Sequence, residues 1–263
     1  MSENDLVLVE NKGRVRVLTL NRPKQLNAFN DAQYDALAAA LRAAAEHPRV
    51  TVAVITGSGR AFSAGQDLAE LGQRPQYTDH AAHGFQPFMD ALQAFPKPLI
   101  AAVNGLGIGI GTTMLLHCDL VLMAESAKLR APFVSLGISA EAGSSYLFPA
   151  TIGWANTAHL LYTGNWIPAD EAVRLGLAWR VVPDAQLAAE ADQLAQQIAA
   201  NPVTSLVATK KLLLGARINQ IRAARDLENE IIGNLAGGPA NKEAIAAFLE
   251  KRAPDFSHVV HKG

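Results

Sequence analysis

The sequence predicts an α/β core followed by a helical C-terminal part. The first ground is order. Short apolar, β-branched runs alternate with helical patterns early in the chain, and helical patterns alone follow. The second is that glycine-punctuated loops follow the first two buried-looking strands, Val50 to Thr56 and Leu99 to Val103.

The elements follow in order. Leu6 to Leu20 alternates apolar and polar residues and turns at Asn11-Lys12-Gly13, which predicts a hairpin. Asn30-Asp31 can cap an alanine-rich helix that runs to His47 and is closed by Pro48. Val50 to Thr56 is a buried strand ended by Gly57-Ser58-Gly59, and Leu120 to Met123 is a further short strand. Helical patterns then cover Trp154 to Tyr162, Pro168 to Leu175, Asp184 to Ala200, Pro202 to Leu214, Ile218 to Leu235 and Asn241 to Lys251. The expected division is an α/β core over residues 1–200 and a helical region over 201–263. Leu71 to Met89 differs, mixing Gly, Pro, Gln and His with Phe85 and Phe88 at weak periodicity. Long irregular insertions are often functional, the plainer reading being a surface loop. No internal repeat stands out.

Composition narrows the function classes. A chain of 263 residues, 49% hydrophobic and 18% charged, can bury a substantial core. A net charge of −1 gives no general electrostatic case for nucleic acid or an anionic membrane as partner. Cys118, the only cysteine, excludes an intrachain disulfide and suits a reducing compartment, and its neighbours Leu115, Leu116 and Leu120 read it as an inert thiol. Met1 to Asp5 has no basic or apolar stretch, and His261-Lys262-Gly263 matches no retention tripeptide, so a cytoplasmic protein is expected. Leu99 to Leu116 is uncharged and long enough for a span, but its four glycines and Asn104 make it a poor continuous helix, so no membrane partner is expected.

The chemistry centres on two loops and one carboxylate. Phe62-Ser63-Ala64-Gly65-Gln66-Asp67 leads to a helix start, and Gly105-Leu106-Gly107-Ile108-Gly109-Ile110-Gly111 runs into Thr112-Thr113. Glycines let a backbone approach a ligand closely, and free N–H groups at a helix start suit a negative oxygen. Together the loops can supply a two-donor oxyanion hole, whose chemistry also needs a proton carrier. Glu141 is the best candidate. Its loop, Gly137 to Ser145, lies between Phe133-Val134 and Tyr146-Leu147-Phe148, and apolar surroundings raise a carboxyl's proton affinity. Its plainer reading is a charge favoured by a helix start. Asp67 and Glu70 have capping-box spacing, so Asp67 reads as a helix cap, and Asp119 reads as a partner of nearby backbone. There is no P-loop, no dinucleotide glycine spacing, no Gly-x-Ser-x-Gly elbow and no paired histidine spacing for a metal. Histidines 47, 80, 83, 117, 159, 258 and 261 read as surface or packing residues, with His80 and His83 open because of their loop.

Several segments together resemble the crotonase (enoyl-CoA hydratase/isomerase) superfamily. They are Asn21 to Lys24 with Leu26-Asn27-Ala28, Phe62 to Leu68, and Lys97 to Gly105. Cys118-Asp119, Thr163-Gly164, Ala169-x-Glu171-Ala172, Gly176-Leu177 and Glu250-Lys251-Arg252-x-Pro254-x-Phe256 extend the resemblance over nearly the whole chain. It implies a spiral of ββα units carrying the acyl-CoA site, a C-terminal trimerisation region, and a homotrimer or dimer of trimers. The apolar Ile218, Ile221, Leu227, Ile231, Ile232 and Leu235 exceed what a lone exposed helix should carry. By motif position, the hole donors would be the N–H groups of Gln66 and Ile110. Lys24, Ala28, Ala64 and Lys251 would contact CoA, Lys251 typically from a neighbouring subunit. CoA would be part of the substrate, with no separate cofactor or metal.

Two departures bear on the reaction. The hydratases of this family carry glutamates where this chain has Thr113 and Phe133. The stretch Pro132 to Tyr146 is instead similar to the monofunctional Δ3,Δ2-enoyl-CoA isomerases, in which a glutamate at the place of Glu141 moves the proton alone. The expectation is therefore 3-enoyl-CoA to trans-2-enoyl-CoA isomerisation in acyl-CoA breakdown, with Phe85, Phe88 and Phe133 walling the acyl pocket. The alternatives are a hydratase or another reaction of the family, with a second acid such as Asp79 in the odd loop, and a non-catalytic acyl-CoA-binding protein.

Overall fold

The computed structural model describes residues 5–68 and 82–260. Strands β1 (Val7–Lys12) and β2 (Val15–Leu20) form the expected hairpin, and β2 pairs in parallel with β3 (Val52–Gly57). From β3 onward the chain repeats one excursion. β3 is followed by β4 (Ala61–Ser63), β5 (Leu99–Val103) by β6 (Leu106–Ile108), and β7 (Leu120–Ala124) by β8 (Lys128–Arg130). The first strand of each pair joins a six-stranded sheet ordered β1-β2-β3-β5-β7-β10, the second a four-stranded sheet ordered β4-β6-β8-β9. The sheets are closed by β9 (Ile167–Pro168) and β10 (Arg180–Val182). Because successive pairs stack in parallel in both sheets, the chain advances as a spiral of ββα units.

The centre of the wide sheet is buried on both faces, which is why β3 and β5 read as unbroken apolar runs rather than alternating ones. Against it pack α1 (Asp31–Glu46) and α7 (Leu187–Ala199). The side chain of Asn30 accepts from Gln33 N at 2.9 Å, capping α1 as its sequence predicts, and Tyr34, Leu37, Ala38, Leu41 and Ala44 form its buried stripe. Ala191, Ala195 and Ala199 repeat every fourth residue on α7, so the helix approaches the sheet closely.

Four expectations need correction. Gly105 to Gly111 is not one loop, since Leu106–Ile108 is strand β6, paired with β4 and β8. Within the irregular segment, Phe85–Gln93 is helix α2; His80, Asp79 and Glu70 of the supposed capping box lie outside the described residues. Ser144–Ile152 is helix α4, hidden from periodicity because its buried face includes the polar Ser144 while its outer face carries the uncharged Ala150 and Thr151, so the two faces differ little. Ile221 is buried within its own chain and is not part of an outward face.

The C-terminal helices bear on the same region. They are α8 (Val203–Gly215), α9 (Ile218–Leu235) and α10 (Pro239–Leu249), preceded by α5 (Trp154–Thr163) and α6 (Ala169–Leu175). Helix α9 packs on α4, and α10 on the turn 134–136, where Asn241 Nδ2 donates to Leu136 O at 2.7 Å. The segment bearing Glu141 is thus enclosed from behind by helices far away in sequence.

Candidate active site

Two backbone segments meet just beyond the ends of β4 and β6. Gly65 follows β4 at φ +87°, and a Cβ placed on it would stand 2.6 Å from the carbonyl oxygen of Ile108. Only a glycine lets the two chains pass this closely. Gly109, at φ +54° and ψ −120°, starts the short helix α3 (Ile110–Thr113) in another conformation that favours glycine. The hydroxyl of Thr112 locks this start by donating to Gly107 O at 2.7 Å while accepting from Arg130 N at 3.2 Å. The neighbouring amides are occupied: Phe29 N donates to Gly65 O and Asp67 N to Phe29 O. Among the described residues no acceptor takes the N–H of Gln66 or of Ile110. Two free donors therefore sit on adjoining segments, one at a helix start where the dipole favours negative charge.

Glu141 is held beside the second donor. Thr113, one helical turn beyond Ile110, donates its hydroxyl to Glu141 Oε1. Glu141 Oε2 is buried and has no hydrogen-bond partner among the described residues. Burial pushes this carboxyl up to about 8; Glu228 adds to the rise, and the Thr113 hydrogen bond and Arg225 oppose it.

The other buried carboxylates are already engaged. Asp67 pairs with Arg22 Nη2 at 3.0 Å, a partner its motif did not reveal. Glu228 accepts from Gly143 N and Ser145 N. Among the described carboxylates only Glu141 has a buried oxygen left without a partner, and the sequence marks it by placing a glutamate amid apolar neighbours. Asp119 accepts from Leu99 N at 2.7 Å and from Lys210 Nζ at 2.8 Å.

The remaining candidates divide. Phe133 is buried, with its ring 3.9 Å from where a Cβ of Gly109 would lie, so it flanks the α3 start. Phe88 is fully buried, stacked at 5.7 Å on Phe29, and Phe85 meets Tyr34 edge-on at 5.8 Å. The Tyr34 hydroxyl in turn donates to Gln66 Oε1 at 3.1 Å, so this cluster supports the Gln66 segment from its core side. The N–H groups of Ala28 and Ala64 donate to Gln25 O and Leu26 O. Lys24 is exposed on the turn Pro23–Gln25 beside Gly59, whereas Lys251 is exposed just after α10.

His83 contacts Asp35 at 2.6 Å. His117 donates from Nε2 to Ala142 O at 2.7 Å, and burial pushes its imidazole down to about 4. Burial likewise pushes the Cys118 thiol up to about 12, so it stays protonated. Among the described residues no helix is long and apolar enough to cross a membrane.

Sequence reasoning missed Asn27, which anchors the first segment. Its side chain accepts from Arg22 N at 2.9 Å and donates to Ser58 O at 2.9 Å and Ala61 O at 2.8 Å. It also missed Glu228, although a charge seven residues from Ile221, on the same helix face, is a legible signal.

Comparison with known proteins sets this geometry beside chemistry already described elsewhere. The family model described as Enoyl-CoA hydratase/isomerase matches residues 10–259. The chain is 37% identical over 249 residues to 1,2-epoxyphenylacetyl-CoA isomerase of Escherichia coli K12, covering 92% of this chain and 95% of that protein. It is also 37% identical over 253 residues to 2,3-dehydroadipyl-CoA hydratase of the same organism, covering 95% and 98%. A crystal structure of an enoyl-CoA hydratase/isomerase from Pseudoalteromonas atlantica T6c superposes with a TM-score of 0.91 at 36% identity, covering 96% of this chain and all of that one.

Proposed function

The chain belongs to the enoyl-CoA hydratase/isomerase family, and we propose that its own reaction is the double-bond shift from 3-enoyl-CoA to trans-2-enoyl-CoA. Membership makes it an enzyme of acyl-CoA metabolism. The finer assignment is carried by one observation: Glu141 is, among the described buried carboxylates, the one with an unpartnered oxygen, and Thr113 tethers it one turn from a free helix-start N–H.

Ionised Glu141 takes a C2 proton from the thioester. Negative charge moves to the thioester oxygen, where the N–H groups of Gln66 and Ile110 receive it, and Glu141 returns the proton at C4. One carboxylate suffices because C2 and C4 lie on one allyl unit, within a small swing of a single side chain. Thr113 serves both protonation states. It donates to the ionised carboxylate, and when Glu141 holds the proton the hydroxyl can turn to Gly109 O, 3.3 Å away. Phe133 keeps water from the dienolate. No separate cofactor or metal enters these steps.

A second reading, hydration, is favoured by the hydratase name of a relative at the same 37% identity. Its two-acid form needs a second carboxylate where Thr113 and Phe133 stand. Product analysis on 2- and 3-enoyl-CoA esters separates the two: isomerised ester supports the first reading, and 3-hydroxyacyl-CoA alone overturns it. Because the base must be ionised and burial holds its carboxyl near 8, kcat/KM for isomerisation should rise with pH and level off above about pH 8. A profile flat from pH 6 to 9 would remove Glu141 as the titrating base.

We further propose a homotrimer or dimer of trimers that binds CoA through Lys24, Ala28, Ala64 and Lys251. In support, Leu212, Leu213, Leu227, Phe248 and Leu249 are exposed on the C-terminal helices, a large apolar area for one chain to leave in water. Light scattering at micromolar concentration should find the assembly, and Lys24→Ala with Lys251→Ala should raise KM while sparing kcat, the mark of uniform binding lost. A stable monomer with unchanged KM in the double variant would refute both.

A further inference from the structure

The backbone directly after Glu141 is strained. Directly after Glu141, Ala142 and Gly143 both adopt left-handed backbone, at φ +62° and +72°. For an alanine this conformation is costly, and it persists only where surroundings enforce it. The enforcing group comes from α9, eighty-five residues away in sequence. Glu228 Oε2 accepts from Gly143 N at 2.6 Å and Oε1 from Ser145 N at 2.7 Å. One carboxylate thus takes two free amides at the α4 start, each oxygen engaged and the negative charge placed where that helix favours it. The fit leaves no slack, because a Cβ on Gly143 would lie 3.0 Å from Ile221 and 3.5 Å from Arg225 on the same α9 face.

We propose that Glu228 is a positioning residue for this enzyme: its doubly bonded carboxylate fixes the left-handed turn after Glu141 and thereby the place and proton affinity of the Glu141 carboxyl. The proposal deepens the isomerase reading and rests on it for its consequence in catalysis, though not for its effect on Glu141 itself. The groups facing this pair can be named. Thr113 reaches Glu141 from α3; His117 holds Ala142 O from the turn after α3; Arg225 passes Gly143 from α9. Arg225 is engaged by Gln93 at 2.6 Å and Asp90 at 2.9 Å on α2, and of the two charges acting on Glu141 that of Glu228 is the larger. A negative neighbour makes ionising Glu141 harder, the direction already noted for Glu228 at this site.

Glu228→Gln keeps the shape, retains one acceptor and removes the charge. Glu228→Ala removes both bonds. The direct readout is the Glu141 carboxyl itself, followed by carboxyl infrared or 13C titration and identified by its absence in Glu141→Gln. In folded Glu228→Gln its midpoint should move to lower pH. Glu228→Ala should in addition lower kcat by about tenfold or more, with KM within about twofold, since a misplaced base slows chemistry rather than binding. Partial recovery of kcat in Glu228→Gln would separate positioning from a general loss of fold. An unmoved Glu141 midpoint in folded Glu228→Gln overturns the proposal. A moved midpoint beside unchanged isomerisation in both Glu228 variants supports the positioning of Glu141 and overturns instead its role as the base.

Discussion

Replacing Glu141 with glutamine should abolish most isomerase turnover, by about 10²-fold or more, while making the protein more stable at alkaline pH. The loss follows from removing the base without changing its shape, and it falls in the range typical of general-base catalysis. Glutamine still accepts from Thr113, so the fold should hold. The gain follows from the same burial. In the folded protein the Glu141 carboxyl titrates near 8, against 4.5 for an ordinary glutamate. A raised value means that the folded state grips the proton more tightly than the unfolded chain does. The resulting stability is complete below about pH 4.5 and is lost as pH rises through about 8. Glutamine imitates the protonated form at every pH. Urea unfolding should find parent and variant similar at pH 4 and the variant ahead at pH 9, by on the order of 4 kcal/mol. Near-normal isomerisation in the variant would end the single-carboxylate mechanism. A stability difference that does not grow with pH would show that Glu141 is not buried as an acid.

Gly65→Ala should cost about 10² to 10³-fold in kcat, with a smaller change in KM. The new methyl group would stand 2.6 Å from Ile108 O, and both atoms belong to backbone that cannot simply step aside. Strand β6 is held on both edges by β4 and β8, so the strain passes to the residues that follow Gly65 and Ile108. Those are Gln66 and, past Gly109, Ile110, the two proposed hole donors. Misdirecting one donor has about this effect in known oxyanion holes. The left-handed φ of +87° adds a conformational penalty of about 1 to 3 kcal/mol, so melting should fall as well. Gly13→Ala separates the two effects, because Gly13 has φ +63° with nothing near its missing Cβ. It should lower stability and leave kcat alone. A folded Gly65→Ala enzyme with kcat within a few-fold of the parent would place the oxyanion elsewhere.

Much of the fold could be read from local pattern. Helices α1 and α9 follow from an N-cap and from apolar spacing, and strands β3, β5 and β7 from uncharged β-branched runs. What local pattern could not show were elements defined by partners. Strands β6 and β8 are three residues each, too short to display alternation, and exist because they pair with each other. Helix α4 has too little contrast between its faces for periodicity to reveal it.

The candidate site divides in the same way. A glutamate in an apolar loop and two glycine-rich turns identify themselves, because a buried charge and a missing side chain are departures from what a sequence would otherwise place there. The sequence alone therefore determined the α/β class and the carboxylate worth testing, and its motifs carried the resemblance to the family. Only the tertiary structure decided which carboxylate stays unengaged. Asp67 finds Arg22 forty-five residues away, and Glu228 finds the two amides beside Glu141 across eighty-five and eighty-three. A side chain's proton affinity depends on burial and on charges a few ångströms off, and those neighbours come from remote parts of the chain that only folding brings together.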